Sequence, residues 1–460
     1  MYITPPDSSL SGTSFIESAE NPTPIELVKT ADFNGREASL DAYQKASLKR
    51  QDFSAAKGQR AWLKCGDQFK VLVGWDGQDD LATLGGLPLL LTEGDYYLET
   101  PVSDLQLIGW GMGSYQFNRY KKASRAPARL VMPEGVDSKR VINTTRSVAL
   151  CRDLINTPAQ DMAPSHLEAE SRDMAAHFGA NISVTVGDEL LAAGCGAIHA
   201  VGRAADDAPR LIDLTWGDEN APKITIVGKG VTFDSGGLDM KPGSAMRMMK
   251  KDMGGAANAI GLAYLIMAEQ LPVRLRLLVP TAENAISGNA FRPGDILHTH
   301  KGLTVEIDNT DAEGRLLLCD ALSIATEDKP DAIFDYATLT GSARSAVGAE
   351  VSAMFCNSDA LADSISHSGR DTDDPVWRMP LHGDYNHMLN SKVADMVNCA
   401  PSPYAGAITA ALFLERFVDD MPWMHFDINA FNTRSRPGHP EGGEAMALRA
   451  VFDYLRRTYA

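Results

Sequence analysis

Apolar and polar positions fall into alternating blocks over the later two-thirds of the chain. Short apolar, β-rich runs at 224–227, 275–280, 332–336 and 424–428 have the length of strands. Longer segments of helical character stand between and after them, at 255–269, 317–326, 408–417 and 445–459. Strand and helix in turn predict an α/β fold with a mostly parallel central sheet flanked by helices on both faces. In such sheets ligands bind at the carboxyl ends of strands. Gly/Pro/Ser clusters at 287–294 and 435–443 read as loops.

The first part of the chain has a different texture. Residues 1–25, rich in Ser, Pro, Thr and Asn, predict a short strand and then a loop. A strand is expected at 69–75, and a second apolar stretch lies at 105–111. It leads to Tyr115, Phe117 and Tyr120, read as packing aromatics. These features predict a smaller N-terminal α/β domain over 1–135 with no ligand cluster of its own. Arg125, Pro127, Arg129 and Pro133 mark its end. A helix over 138–155 should stop before Pro158, and another should begin with Ser165 as its cap, after Pro164. Residues 136–165 are thus a connecting helix and linker, and 166–460 the larger domain.

Composition narrows the class. At 460 residues the chain is too long for one ordinary domain, and its 44% hydrophobic and 22% charged residues are those of a globular protein with a large core. A formal net charge of −17 disfavours nucleic acid and anionic membrane as partners. The six cysteines contain no CxxC pair and read as reduced, mostly buried thiols, which points to a cytoplasmic protein. No basic region followed by an apolar core opens the sequence, so no signal peptide is expected. No apolar run approaches a membrane span.

The candidate chemistry lies in two stretches. In NTDAEGRL, at 309–316, Asp311 and Glu313 are two positions apart; if the segment is extended they share a face, and Arg315 continues the row. Two acids and a guanidinium are costly to desolvate together unless something compensates them. A divalent metal pair would compensate the acids, and an anion the arginine. Taken alone, the segment reads equally as a solvated, charged strand end or turn. The second stretch, GKGVTFDSGG at 228–237, follows a predicted strand, and its glycines permit tight turns near a ligand. The phosphate-loop spacing GxxxxGK[ST] is absent. Lys241, Lys250, Lys251 and Asp252 come next, where a helix begins, so Asp252 alone reads as a helix cap and Lys229 alone as a surface lysine. A lysine can ligate a metal only after losing its proton. His298, His300 and His425 lack the HExxH spacing and read as structural or surface residues.

These blocks together, with MKKDMGGA at 249–256, NTPAQDMAP at 156–164, ATLTGSA at 337–343 and ADMVN at 394–398, resemble the leucine aminopeptidase (cytosol aminopeptidase) family of two-metal metallopeptidases. The resemblance covers about 140–430 and is weak in the N-terminal region. It implies that Lys229, Asp234, Asp252, Asp311 and Glu313 are the metal ligands, with Asp234 and Glu313 bridging two divalent ions, Zn or Mn. Lys241 and Arg315 match the family's two catalytic residues that are not ligands, and Arg315 would hold a bicarbonate-like general base. Met249, Thr338, Leu339 and Gly341 match positions lining the substrate site, although Met249 also reads as a core residue. The chemistry implied is attack of a metal-bridging hydroxide on the N-terminal peptide bond. Peptide substrates, apolar N-terminal residues such as leucine and a homo-hexamer are expected on the same ground. Two alternatives remain: a dipeptidase-like member acting on substrates such as cysteinylglycine, and a DNA-binding or regulatory protein on the same fold. The stretch 429–446 is longer and more charged than the Gly-rich loop of many relatives near the substrate pocket, which leaves leucine preference open.

Overall fold

The computed structural model describes residues 10 and 12–460. The beginning of the expected N-terminal strand and loop, at 1–9 and 11, lies outside the described residues. The chain forms two compact units. The smaller runs to Ala149 and includes Thr433–Glu441; the larger comprises Leu150–Asn432 and Gly442–Ala460. The helix Ser138–Asn156 carries the chain from one to the other.

The smaller unit is built on a six-stranded sheet in the order Phe15–Ile16, Arg129–Val131, Asp95–Leu98, Thr23–Lys29, Gln68–Trp75, Arg60–Cys65. Only the last pair is antiparallel. The apolar stretch at 105–111 is the core of the helix Asp104–Gly113. A reciprocal cap starts it: Gln106 N donates to Ser103 Oγ at 3.1 Å, and Ser103 N donates to Gln106 Oε1 at 3.1 Å. Phe117 and Tyr120 pack on each other at 6.0 Å, with Tyr120 left half exposed. Thr433–Glu441, within the stretch at 429–446, belongs to this unit: Gly438 N donates to Gly85 O at 3.0 Å.

The larger unit contains a nine-stranded sheet. Its four central strands, Trp423–Asp427, Ala332–Ala337, Lys223–Gly228 and Arg274–Asn284, run parallel. Antiparallel neighbours flank them, Ser352–Cys356 on one side and Arg210–Trp216 on the other. Helices cover both faces, as the alternation of strand and helix predicts. The helix Gly254–Ala268 is buried along its whole length against Lys223–Gly228, Ala332–Ala337 and the helix Leu448–Tyr459. Its apolar composition all round suits that position. Gly255 lets it lie close to the sheet, since a Cβ there would sit 2.1 Å from Tyr336 O. The opposite face carries Gly314–Glu327 and Gly406–Glu415. Each fully buried Leu, Ile or Phe in these layers contributes about 1.5–3 kcal/mol.

One helix start differs from expectation. Pro164 rather than Ser165 opens the helix Pro164–Phe178, and Ala163 is its N-cap. Proline suits the first helical position because the N–H it lacks would have no partner there. All six cysteines are free, with Cys151, Cys195, Cys319 and Cys356 buried.

Candidate functional site

The site forms where parallel strands end. Lys229 directly follows Lys223–Gly228, and Asp234 closes the short strand Gly230–Asp234. Asp252 lies in the 3-10 turn Met249–Met253 that feeds the buried helix Gly254–Ala268. Thr338 to Gly341 follow Ala332–Ala337. The segment 309–316 is not extended, so the condition for a shared face along a strand is not met. It is a turn that enters the helix Gly314–Glu327, with Glu313 as N-cap and Arg315 already helical. The turn is tied by Asp311 N donating to Asn309 Oδ1 at 2.7 Å, and by Asn398, whose Oδ1 accepts Asp308 N at 2.8 Å while its Nδ2 donates to Asn309 O at 2.7 Å. Local side-chain hydrogen bonds thus override the strand geometry.

Every site residue named from the sequence lines one pocket of about 240 Å³. Within it, Asp234, Asp252 and Glu313 each offer a carboxylate oxygen, all within 4.8 Å of one another. Lys229 Nζ stands 2.7 Å from Asp252 Oδ2 and 3.1 Å from Glu313 Oε1, and donates to Thr338 O at 3.1 Å. Lys241 Nζ lies 2.7 Å from Asp234 Oδ2 and also pairs with Asp311. Arg315 donates through Nη1 to Asn398 O at 2.7 Å. Gly314 makes room for the buried lysine: a Cβ there would meet Lys229 Cε at 2.4 Å.

Burial sets the electrostatics. It pushes the Glu313 carboxyl well above the usual range, helped by the charge of Asp234. It raises Asp234 to about 6, with Asp252 adding to the effect. Burial acts on Asp252 in the same direction, but Lys229 outweighs it and the net shift is downward. Burial opposes the charge on Lys229, yet Asp252 and Glu313 prevail and hold the ammonium protonated.

A divalent cation fits this donor set. Glu313 Oε2 is buried and has no hydrogen-bond partner, and Asp252 Oδ2 faces Lys229 as an ion pair without hydrogen-bond geometry. Buried acids so short of partners are the arrangement a hard cation resolves. Arg315 Nε is likewise buried without a partner, as a guanidinium awaiting an anion would be.

Sequence reasoning missed several neighbours. Lys251 is buried in the pocket wall, donates to Asn429 O at 3.0 Å, and is pushed down to about 8 by burial and then by Arg344. Asn284 Nδ2 donates to Asp234 Oδ1 at 2.9 Å and to Thr310 O at 3.1 Å. Asp427 Oδ1 accepts Leu339 N at 3.0 Å and Thr340 N at 3.1 Å, while Oδ2 accepts Thr340 Oγ1 at 2.6 Å. The only signal for Asp427 was its place at the end of a predicted strand. Of the three histidines set aside, His425 is a core residue, its Nδ1 2.5 Å from Asp335 Oδ1. His300 lies 2.7 Å from Glu327 Oε1, and His298 is exposed.

Fold and site together define an α/β protein with a smaller leading unit and a cation-ready acid cluster at the strand ends of the larger one. Comparison with known proteins makes this specific. Residues 149–452 match the catalytic domain of the cytosol aminopeptidase family, and 23–133 match the M17 aminopeptidase N-terminal domain. A probable cytosol aminopeptidase of Geobacter sp. (strain M21) is 40% identical over 366 residues, 76% of this chain and 74% of the relative. The crystal structure of a cytosol aminopeptidase from Coxiella burnetii superposes with a TM-score of 0.93 at 45% identity, covering 97% of this chain and 100% of that one. The bottromycin maturation enzyme BotP in complex with Mn gives a TM-score of 0.85 at 30% identity, over 95% of this chain and 100% of that one. The chain belongs to the cytosol aminopeptidase family, and it is a peptidase, a hydrolase of peptide bonds. Among the described residues, no helix is long and apolar enough to cross a membrane.

Proposed function

We propose that this protein is a metal-dependent aminopeptidase that removes the N-terminal residue of peptides with two divalent ions bound by Lys229, Asp234, Asp252, Asp311 and Glu313. The observation that carries the reading is the buried triad of carboxylates within 4.8 Å, with Glu313 Oε2 left without a partner. When bound, such ions supply an activated water nucleophile near neutral pH and charge stabilisation for the transition state. Zn and Mn both suit the donor set, and BotP, a structural relative, is in complex with Mn.

The chain's own residues then divide the work. Asp252 is placed to accept a hydrogen bond from the substrate's free α-amine, which selects for an unblocked N-terminus. Lys241 donates to the oxyanion that develops on the scissile carbonyl. Arg315 cannot move a proton itself because its guanidinium stays charged. Its partnerless Nε supports a bound bicarbonate acting as base beside the reacting bond. Met249, Thr338, Leu339 and Gly341 line the space for the N-terminal side chain, and Met249 suits apolar residues such as leucine. A cytoplasmic location and a homo-hexamer complete the reading and rest on the family resemblance.

The test is hydrolysis of leucine-p-nitroanilide against its N-acetylated counterpart, with metal stripped and then restored as Mn or Zn. Cleavage of the free amine alone, dependent on metal, is expected. Equal cleavage of the blocked substrate, or full activity after stripping, would overturn the reading.

A further inference from the structure

The pocket that holds the acids does not end at the helix Gly341–Val347. It adjoins an open cavity of about 850 Å³, and Gly341 and Arg344 line both spaces. Arg344 lies one turn into that helix and is half buried. Its guanidinium makes no hydrogen bond and no ion pair with any described residue. That is unusual beside a cluster of carboxylates. Asp252 and Glu313 are taken up by Lys229, and Asp234 and Asp311 by Lys241, so none of them is spent on Arg344. Ser345 cannot serve it as an acceptor of charge either, since its hydroxyl is neutral and donates to Gly341 O at 3.1 Å. A planar cation with five free donors therefore stands where the metal pocket opens into the larger cavity.

A peptide cleaved at its first bond leaves the site in one direction. With its amine at Asp252 and its scissile carbonyl beside Lys241, we take the part after that bond to run toward the opening lined by Gly341 and Arg344. One further residue advances the backbone by about 3.5 Å at most. In a dipeptide, the negative charge of the α-carboxylate therefore lies close to the scissile bond, on the side where the pocket opens. Guanidinium is the side chain best shaped to take a carboxylate, through two parallel hydrogen bonds.

We propose that Arg344 is a specificity-determining residue that binds the C-terminal α-carboxylate of short peptides, so that dipeptides with a free carboxylate are preferred over amidated or otherwise neutral ones. This rests on the aminopeptidase reading above. A solvated arginine of no consequence would not distinguish those substrates.

The experiment compares kcat/KM for Leu-Gly and Leu-Gly-amide in the Mn-loaded enzyme, in the wild type and in Arg344→Met and Arg344→Lys. The wild type should favour the free carboxylate about tenfold, through KM, as fits a half-exposed charge-assisted pair. In Arg344→Met that ratio should fall to about one, whatever happens to the absolute rates. Arg344→Lys, which keeps the charge without the fork, should restore part of it. A wild-type ratio near one, or the same ratio in Arg344→Met, overturns the inference and leaves the aminopeptidase reading standing. Failure of the loaded wild type to cleave either dipeptide or leucine-p-nitroanilide overturns both.

Discussion

Lys229 Nζ lies 2.7 Å from Asp252 Oδ2, and both side chains are almost wholly buried. In the metal-free protein the lysine is the counter-charge that makes this cluster of acids tolerable. As a ligand it would have to give up the proton that the acids now help it keep. Metal uptake through Lys229 would therefore be coupled to proton release.

Lys229→Met removes that counter-charge while filling similar space. Metal-stripped Lys229→Met should be less stable than the metal-stripped wild type by about 3 kcal/mol, the cost of leaving a buried ion without its partner. Urea unfolding after chelation reads the difference. Equal stability would mean that Asp252 is not held ionised by the lysine.

Glu313→Ala and Lys241→Ala should separate ligand from catalyst. Glu313 is a buried member of the carboxylate triad, so its loss should remove bound metal and all activity. Lys241 meets the proposed ligands Asp234 and Asp311 through ion pairs. Its alanine variant should keep metal and lose about 10²–10³-fold in kcat, as when one oxyanion donor is deleted. Elemental analysis alongside kinetics decides. A Glu313→Ala enzyme with near-normal turnover, or a Lys241→Ala enzyme stripped of metal, would show the roles to be misassigned.

Asp427 should act on the substrate without touching it. It holds the backbone of Leu339 and Thr340 and the Thr340 hydroxyl, and so fixes one wall of the pocket. Asp427→Asn keeps the shape but weakens three hydrogen bonds to a charged acceptor, each worth about 1.5–3 kcal/mol. KM for leucine-p-nitroanilide should rise about tenfold while the pH profile of kcat keeps its shape. A fall in kcat alone, with KM unchanged, would place Asp427 in the chemistry instead.

The sequence made the larger unit legible because its central strands are buried on both faces and its helices alternate with them. The apolar runs at 224–227, 332–336 and 424–428 are the cores of the strands Lys223–Gly228, Ala332–Ala337 and Trp423–Asp427. The smaller unit was harder to read. The apolar run at 105–111 carries no period, and only the Ser103 cap marks it as a helix. At the site, the resemblance of the motifs to a known family picked out the residues that line the pocket, but not how they converge. The acids of 309–316 meet through a turn fixed by Asn398, which is remote in sequence. Arg344 and Asp427 escaped notice because an arginine in a helix and an acid at a strand end look ordinary until the space around them is known.

His425 and Asp335 supply the last prediction. They face each other on neighbouring parallel strands, with Nδ1 2.5 Å from Oδ1, and Trp423 Nε1 donates to the other Asp335 oxygen at 2.7 Å. Burial works against a charged imidazole here, but the Asp335 carboxylate outweighs it, as does Asp427 more weakly, against the opposing charge of Arg315. The folded pKa of His425 therefore lies above its ordinary value. A raised folded pKa stabilises the protein fully below the unfolded value of about 6.5, and that stabilisation is lost as pH rises through the folded pKa. The stability gap between wild type and His425→Asn should accordingly be widest near pH 6 and narrow steadily toward pH 9. Paired urea unfolding curves across that range measure it, because subtracting the variant removes titrations common to both proteins. A gap that stays constant with pH would show that His425 is neutral in the folded protein throughout, and that the pair is an ordinary hydrogen bond rather than a buried ion pair.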